Sequence, residues 1–475
     1  MEHESQINQT STSFKSVPRK FARKSSHRAG LLPPLLCGLF LLPCSLHLAS
    51  QESPASLLTE DQAVSIALAA NRGIQSSTLD ILRADASLRE ARTNYFPQTS
   101  FDLLSGGSIE PLQLTIPAGA LGVYPGTGPV PGKTAVIGGG AGIETAMFAT
   151  FAQPIAQLYK IHLGVESARV SQRLSAANDL GERQQVVAQV KEAYHQVAAA
   201  QALVASDGEQ LNWLEEALHT TRNNVEQGTA LNADELQAES SLEQQKVTTL
   251  HDQNNLTTQR EQLNHLLGRD LDTQFSVETV PPPTSLETDL SAARAAALQH
   301  RPEIRQAELQ VEKAVLDERT DRAGYIPDVN AQLTYIGLQN VQFMSPNSVS
   351  VGFSVQWKNP WDWGHRKADI EGLKDVTKQQ RLTADDTRQK ILLDVGQKFR
   401  TLQEALANLK SAALARDASG AKLRILTNQY GEQAALLQDL LKQNADFEQK
   451  KASYTQAIQA YWSDRADFER AIGEM

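Results

Sequence analysis

Pro125–Thr134 reads PGTGPVPGKT and is the stretch of this chain nearest in form to a phosphate-binding loop. Such a loop needs a glycine five positions before its final Gly-Lys-Thr, so that successive backbone N–H groups can wrap a phosphate. Thr127 stands at that position, three prolines interrupt the run, and no apolar strand precedes it. The stretch reads as an exposed loop. Hydrolytic chemistry has no better footing, because no G-x-S-x-G nucleophile elbow occurs. The histidines are scattered singly: His162, His195, His219, His251, His265, His300 and His365 include no pair at i, i+4 with a nearby carboxylate. The sequence points to no enzyme, no cofactor and no metal.

Both cysteines, Cys37 and Cys44, lie near the N-terminus. There Arg19, Lys20, Arg23, Lys24 and Arg28 precede the mostly apolar run Leu31–Leu48, and Ala49-Ser50 suggest a cleavage point near Gln51. This is the pattern of an export signal. Its removal leaves no thiol or disulfide; lipid attachment at Cys44 is a minor alternative, since Pro43 fits a lipobox poorly. It also leaves 39 basic against 53 acidic side chains, a net −14. A chain so acidic is a poor binder of nucleic acid.

What must the remaining residues build? The sequence is written twice. "ARTNYFPQTSF" ends a helical pattern at Pro97 and opens a different one, and "DRAGYIPDVNA" repeats the change at Pro327. With that offset, Ala67, Leu68, Ile74, Leu79, Ala84, Arg92 and Tyr95 fall on identical residues at 297, 298, 304, 309, 314, 322 and 325. Further on, a smaller offset lays Val225–Gly268 over Tyr430–Gly473 without a gap. The offset changes because the first copy carries extra residues after Pro97, rich in Pro and Gly, which read as a long surface loop.

In each copy a second proline, Pro154 or Pro360, closes a section of period two. Val349, Val351, Phe353, Val355 and Trp357 alternate with Ser350, Gly352, Ser354 and Gln356; Val329, Ala331, Leu333 and Tyr335 alternate with Asn330, Gln332 and Thr334. Strands of about nine or ten residues match a tilted bilayer crossing. A proline-free run from Ile155 to about Thr221 then predicts a helix of about 100 Å. Within it Val186, Val190, Ala193, Val197, Ala200 and Val204 step by four and three, the spacing of a coiled-coil seam. Val395, Phe399, Leu402, Leu406 and Leu409 repeat it. Helical runs return to Leu267 and, from Ala434, to Ile472.

An open sheet edge is costly in lipid, and two hairpins supply only four strands, too few to close a barrel. Several chains must therefore share one. Pro97, Pro154, Pro327 and Pro360 mark the handover from strand wall to helical wall, since proline removes a donor and disfavours helix before it. "WKNPWDWG" sets Trp357, Trp361 and Trp363 close together, as an aromatic belt at the membrane interface would.

Taken together, the "LTEDQAVSIALAANRGIQ" opening, "NYFPQ", "GYIPD" and the "VEQGTALNADELQAES…LNHLLG" return helix resemble the TolC-like outer-membrane efflux family, over nearly all of the chain after residue 57. The resemblance implies a homotrimer whose twelve strands form one outer-membrane β-barrel, continued by a periplasmic α-barrel of coiled-coil hairpins. It implies a passive export duct of a tripartite efflux or type I secretion system, docking with a periplasmic adaptor and an inner-membrane transporter of RND, ABC or similar type. The alternative is a soluble periplasmic coiled-coil adaptor or scaffold. At the tip, the resemblance carries over a gating tyrosine to Tyr430 and ring aspartates to Asp439 and its counterpart Asp234. Ala435 stands where an arginine is expected, and Lys442 replaces the second ring aspartate, so that Asp439 and Lys442, at i and i+3, are positioned to pair.

The expected fold is thus mixed α and β with internal duplication. A leader (1–50) and a helical segment (51–97) come first, then a β-hairpin with a long loop (98–154) and coiled-coil helices (155–275). The second copy follows as linker and first helix (276–327), β-hairpin (328–360) and coiled-coil helices (361–475).

Overall fold

The computed structural model describes residues 56–107, 113–138, 143–283, 289–340, 345–357, 361, 363–432 and 434–474. The expected leader, Cys37, Cys44 and Pro360 lie outside the described residues. The first copy runs β1 (Ser56–Leu58), α1 (Glu60–Ala70), α2 (Arg72–Thr93) and β2 (Gln98–Gly107). An insert follows with β3 (Gln113–Ile116), β4 (Val123–Tyr124), β5 (Gly128–Pro129) and β6 (Ala135–Gly138). The copy continues with β7 (Ile143–Pro154), α3 (Leu158–Glu226), α4 (Asn232–Leu266) and β8 (Phe275–Val277). The second copy comprises α5 (Leu290–His300), α6 (Pro302–Ala323), β9 (Asp328–Gln339), β10 (Asn347–Gln356), α7 (His365–Gly431) and α8 (Leu437–Ile472).

Local signals set the boundaries. Thr59 caps α1 reciprocally with Gln62: the Gln62 N–H donates to the Thr59 hydroxyl at 3.3 Å, and the Thr59 N–H to Gln62 Oε1 at 3.2 Å. Asn71 both ends α1 and caps α2 by accepting from the Gly73 N–H, while its amide donates to the Leu266 carbonyl at 2.8 Å. In the second copy Arg301 takes the cap position and Pro302 the first helical one. After Pro154 the helix begins at Leu158, not Ile155, because the Ile155 N–H donates instead to the Val329 carbonyl of the neighbouring strand. It ends at Glu226, a turn and a half beyond Thr221.

The long helices pair within each copy as expected. Val186, Val190, Ala193, Val197 and Ala200 are buried in one cluster with Leu256, Leu263 and Leu267 of the returning chain. Val395 and Leu402 pack with Tyr461, Phe468 and Ile472 in the other. Two close approaches at equivalent positions mark the duplication. A Cβ on Gly268 (φ 68°) would lie 2.3 Å from the Ala70 carbonyl oxygen, and one on Gly473 (φ 86°) 2.7 Å from His300 Cβ. Ala70 and His300 are themselves equivalent positions of the two copies, each at the end of a first short helix.

Two features depart from expectation. β1 and β8 pair in parallel, so one strand lies in the segment read as helical (51–97) and the other where the coiled-coil helices were expected to pass into the linker. The first-copy insert is also not an irregular loop. β3 pairs with β6 and β4 with β5, both antiparallel, and PGTGPVPGKT falls across that second ladder.

Candidate barrel wall and tunnel tip

The two strand hairpins form one four-stranded sheet in the order β10-β9-β7-β2. Pairing is antiparallel throughout, and β7 against β9 joins the copies. Because side chains alternate across a strand, register assigns every residue to a face. One row across all four strands reads Thr99, Phe151, Leu333, Val351, and the next in phase reads Phe101, Ala149, Tyr335, Val349. The intervening row reads Ser100, Thr150, Thr334, Ser350. The charged residues of these strands, Asp102, Glu144 and Asp328, all lie on the face of that polar row. The other face carries no charge and is open: Val351 is 83% exposed and Phe353 75%. β2 and β10 each leave one edge unpaired within the chain. Among the described residues no helix is long and apolar enough to cross a membrane.

Where the sheet meets the helices, the junction is stitched by amides. Gln153 Nε2 donates to the Tyr95 carbonyl at 3.1 Å, and Gln157 Nε2 to Asn330 Oδ1 at 3.2 Å. Pro97 and Pro327 stand immediately before β2 and β9, and Pro154 is the last residue of β7. Trp357, Trp361 and Trp363 all lie exposed between β10 and α7. Phe96 and Tyr159 are exposed beside the first-copy junction, and Tyr325 beside the second.

At the opposite ends of the long helices, Leu214, Ala238 and Leu242 of the first copy pack with Leu437 and Leu441 of the second. Tyr430 sits half-buried against that cluster. Asp439 lies exposed in the first turn of α8, where the helix dipole favours a carboxylate. Lys442 is exposed one turn on, and no ion pair between it and Asp439 is seen among the described residues. Asp234 is occupied as a cap: its carboxylate accepts from the Leu231 N–H at 3.1 Å.

The sheet thus has one uncharged face and two free edges and is set on paired coiled coils. Residues 63–269 match the outer membrane efflux protein family. The resemblance drawn from the sequence stands. No curated protein matches the chain. Among solved structures, the outer-membrane channel OprN superposes with a TM-score of 0.71 at 18% identity, over 88% of this chain and 90% of that one. The Campylobacter jejuni CmeC outer-membrane channel gives 0.69 at 14%, over 87% and 85%. The open state of the Neisseria gonorrhoeae MtrE outer-membrane channel gives 0.67 at 18%, over 87% and 89%. The fold is that of the outer-membrane efflux channels.

The chain also has a polar seam that the sequence did not disclose, between α3 of the first copy and α8 of the second. Lys191 Nζ donates to Glu469 at 2.6 Å, the Ser206 hydroxyl to Glu448 at 3.1 Å, and Lys451 to Glu209 at 2.8 Å. Burial raises the pKa of Glu469, but the hydrogen bonds and charges of Lys191 and Arg465 outweigh it and hold the carboxyl below its ordinary value. Beside them His195 is buried, stacked on Trp462 at 5.5 Å between ring centres. Heptad spacing shows which residues face a partner helix, but not which helix that partner is.

Proposed function

We propose that three copies close one twelve-stranded barrel in the outer membrane, edge β10 of each against edge β2 of the next, with the helices continuing it as a periplasmic tunnel. The chain then serves as the outer-membrane duct of a tripartite efflux or type I secretion system. The supporting observation is the sheet itself: an uncharged apolar face for lipid, a polar face for a water-filled lumen, and two edges that cannot be left open in a bilayer. A soluble scaffold would leave that apolar face in water.

Asp102, Glu144 and Asp328, repeated three times around the lumen, favour cations over anions in the open pore. At the tip, Tyr430 holds the two hairpins together, while Asp439 and Asp234 contribute carboxylates around the aperture, with Lys442 offsetting part of their charge. Trp357, Trp361 and Trp363 rest at the membrane interface on the helix side of the barrel. An adaptor and an inner-membrane transporter supply selection and energy.

Planar-bilayer recording tests this. The exported protein should form cation-preferring channels, and Asp439→Ala should weaken their block by multivalent cations. A protein that inserts no channels would overturn the reading, and unchanged block would remove Asp439 from the aperture.

A further inference from the structure

Where the four strands meet the helices, the polar face of the sheet sinks into a recess of about 480 Å³, a volume within the ~300–1,000 Å³ of ordinary ligand sites. Gln98 of β2, Asp328 and Asn330 of β9 and Gln356 of β10 form its floor. Register places all four on the face of the polar row, the side assigned to the lumen. Asn94 at the end of α2, with Gln157 and Lys160 at the start of α3, forms the wall.

The chemistry of this lining is specific. Five of the side chains are carboxamides, each able to donate and to accept. Gln157 Nε2 donates to Asn330 Oδ1 at 3.2 Å, which leaves Gln157 Oε1 buried without a partner. Among the described residues, the side chains of Asn94, Gln98 and Gln356 make no hydrogen bond. Lys160 and Asp328 bring opposite charges to the same recess, yet neither is in an ion pair, with the other or with any other described group. Among the described residues no aromatic ring lines the recess, so a base or an aromatic solute finds nothing to stack on.

We propose that this recess is a binding site for short peptides with free termini, met by cargo as it passes from the tunnel into the barrel. This rests on the three-copy barrel proposed above. A peptide presents an N–H and a C=O at nearly every residue, and carboxamides can pair with both. Its ammonium end suits Asp328 and its carboxylate end suits Lys160. Opposite charges held too far apart to pair with one another fit a ligand that carries both. Neither charge is buried, so binding is weak and release quick, as passage requires.

Trialanine is the probe, compared with its N-acetylated, C-amidated form and with maltotriose. In planar bilayers, trialanine added on the barrel side should interrupt the current of the exported protein in proportion to its concentration. The capped peptide and maltotriose should do so less, by about threefold or more. Lys160→Gln and Asp328→Asn should each weaken the block by trialanine about threefold, toward that of the capped peptide, and Lys160→Arg should preserve it. Equal block by all three solutes, or block by trialanine that is indifferent to both neutral substitutions, overturns the proposal. Saturation-transfer NMR on the detergent-solubilised protein reads the same contact without a channel. Trialanine binding that depends on Lys160, with no channel formed in the bilayer, would uphold the site and strike the barrel reading; no binding by NMR overturns the site itself.

Discussion

Lys191 on α3 and Glu469 on α8 are joined across the two repeats by a 2.6 Å ion pair. Both side chains are about four-fifths buried, and Arg465 adds a second donor to Glu469 at 3.0 Å. Lys191→Met should therefore cost about 1–3 kcal/mol, toward the lower end because Arg465 still pairs the carboxylate. Lys378→Ala, which removes an ion pair exposed at both partners, should stay within about 0.5 kcal/mol. Thermal unfolding followed by helical circular dichroism compares the two. Equal shifts would show that the seam adds nothing to the junction of the repeats.

The alternation of the sheet makes a second expectation sharp. Val351 lies in the aliphatic row and Ser350, its neighbour, in the polar one. Val351→Arg sets a guanidinium in lipid at a cost of about 2–4 kcal/mol per chain, so recovery of assembled protein from the outer membrane should fall steeply. Ser350→Arg should assemble normally and shift ion selectivity away from cations. Equal tolerance of both would mean that the faces are wrongly assigned.

His195 gives a pH signature. Burial foremost, then the nearby charge of Lys191, pushes its pKa from 6.5 down to about 4. The folded chain thus takes up this proton less readily than the unfolded one. The associated stability is whole above pH 6.5 and lost as pH falls toward 4, on the order of 3 kcal/mol in all. Glu60, 3.4 Å away, has its pKa raised, chiefly by burial, and opposes the loss. The informative quantity is therefore the stability difference between wild type and His195→Gln. It should shrink between pH 6.5 and 4; a constant difference would mean that the imidazole titrates as in water.

Much of this architecture was legible in the residues. The prolines at 97 and 327, the alternation from Val349 to Val355 and the heptad steps from Val186 to Val204 are local patterns, and local patterns survive folding. The pairing of β7 with β9 was not legible, because neither hairpin states which edge will meet the other. The ordered insert was missed because proline and glycine read as loop, although the same residues build tight hairpins where their φ angles suit the turns. The β1–β8 pair was missed because three-residue strands carry almost no periodicity. At the tip, spacing put Asp439 and Lys442 within reach of each other, but spacing alone does not fix whether an exposed pair forms.

The unpaired edges of β2 and β10 are the centre of the account, and the mass of the assembled particle tests them most directly. Extracted from outer membranes in mild detergent and weighed by native mass spectrometry, the protein should carry three chains and release monomers only when the sheet is denatured. A folded, salt-extractable monomer with the same strand content would contradict it.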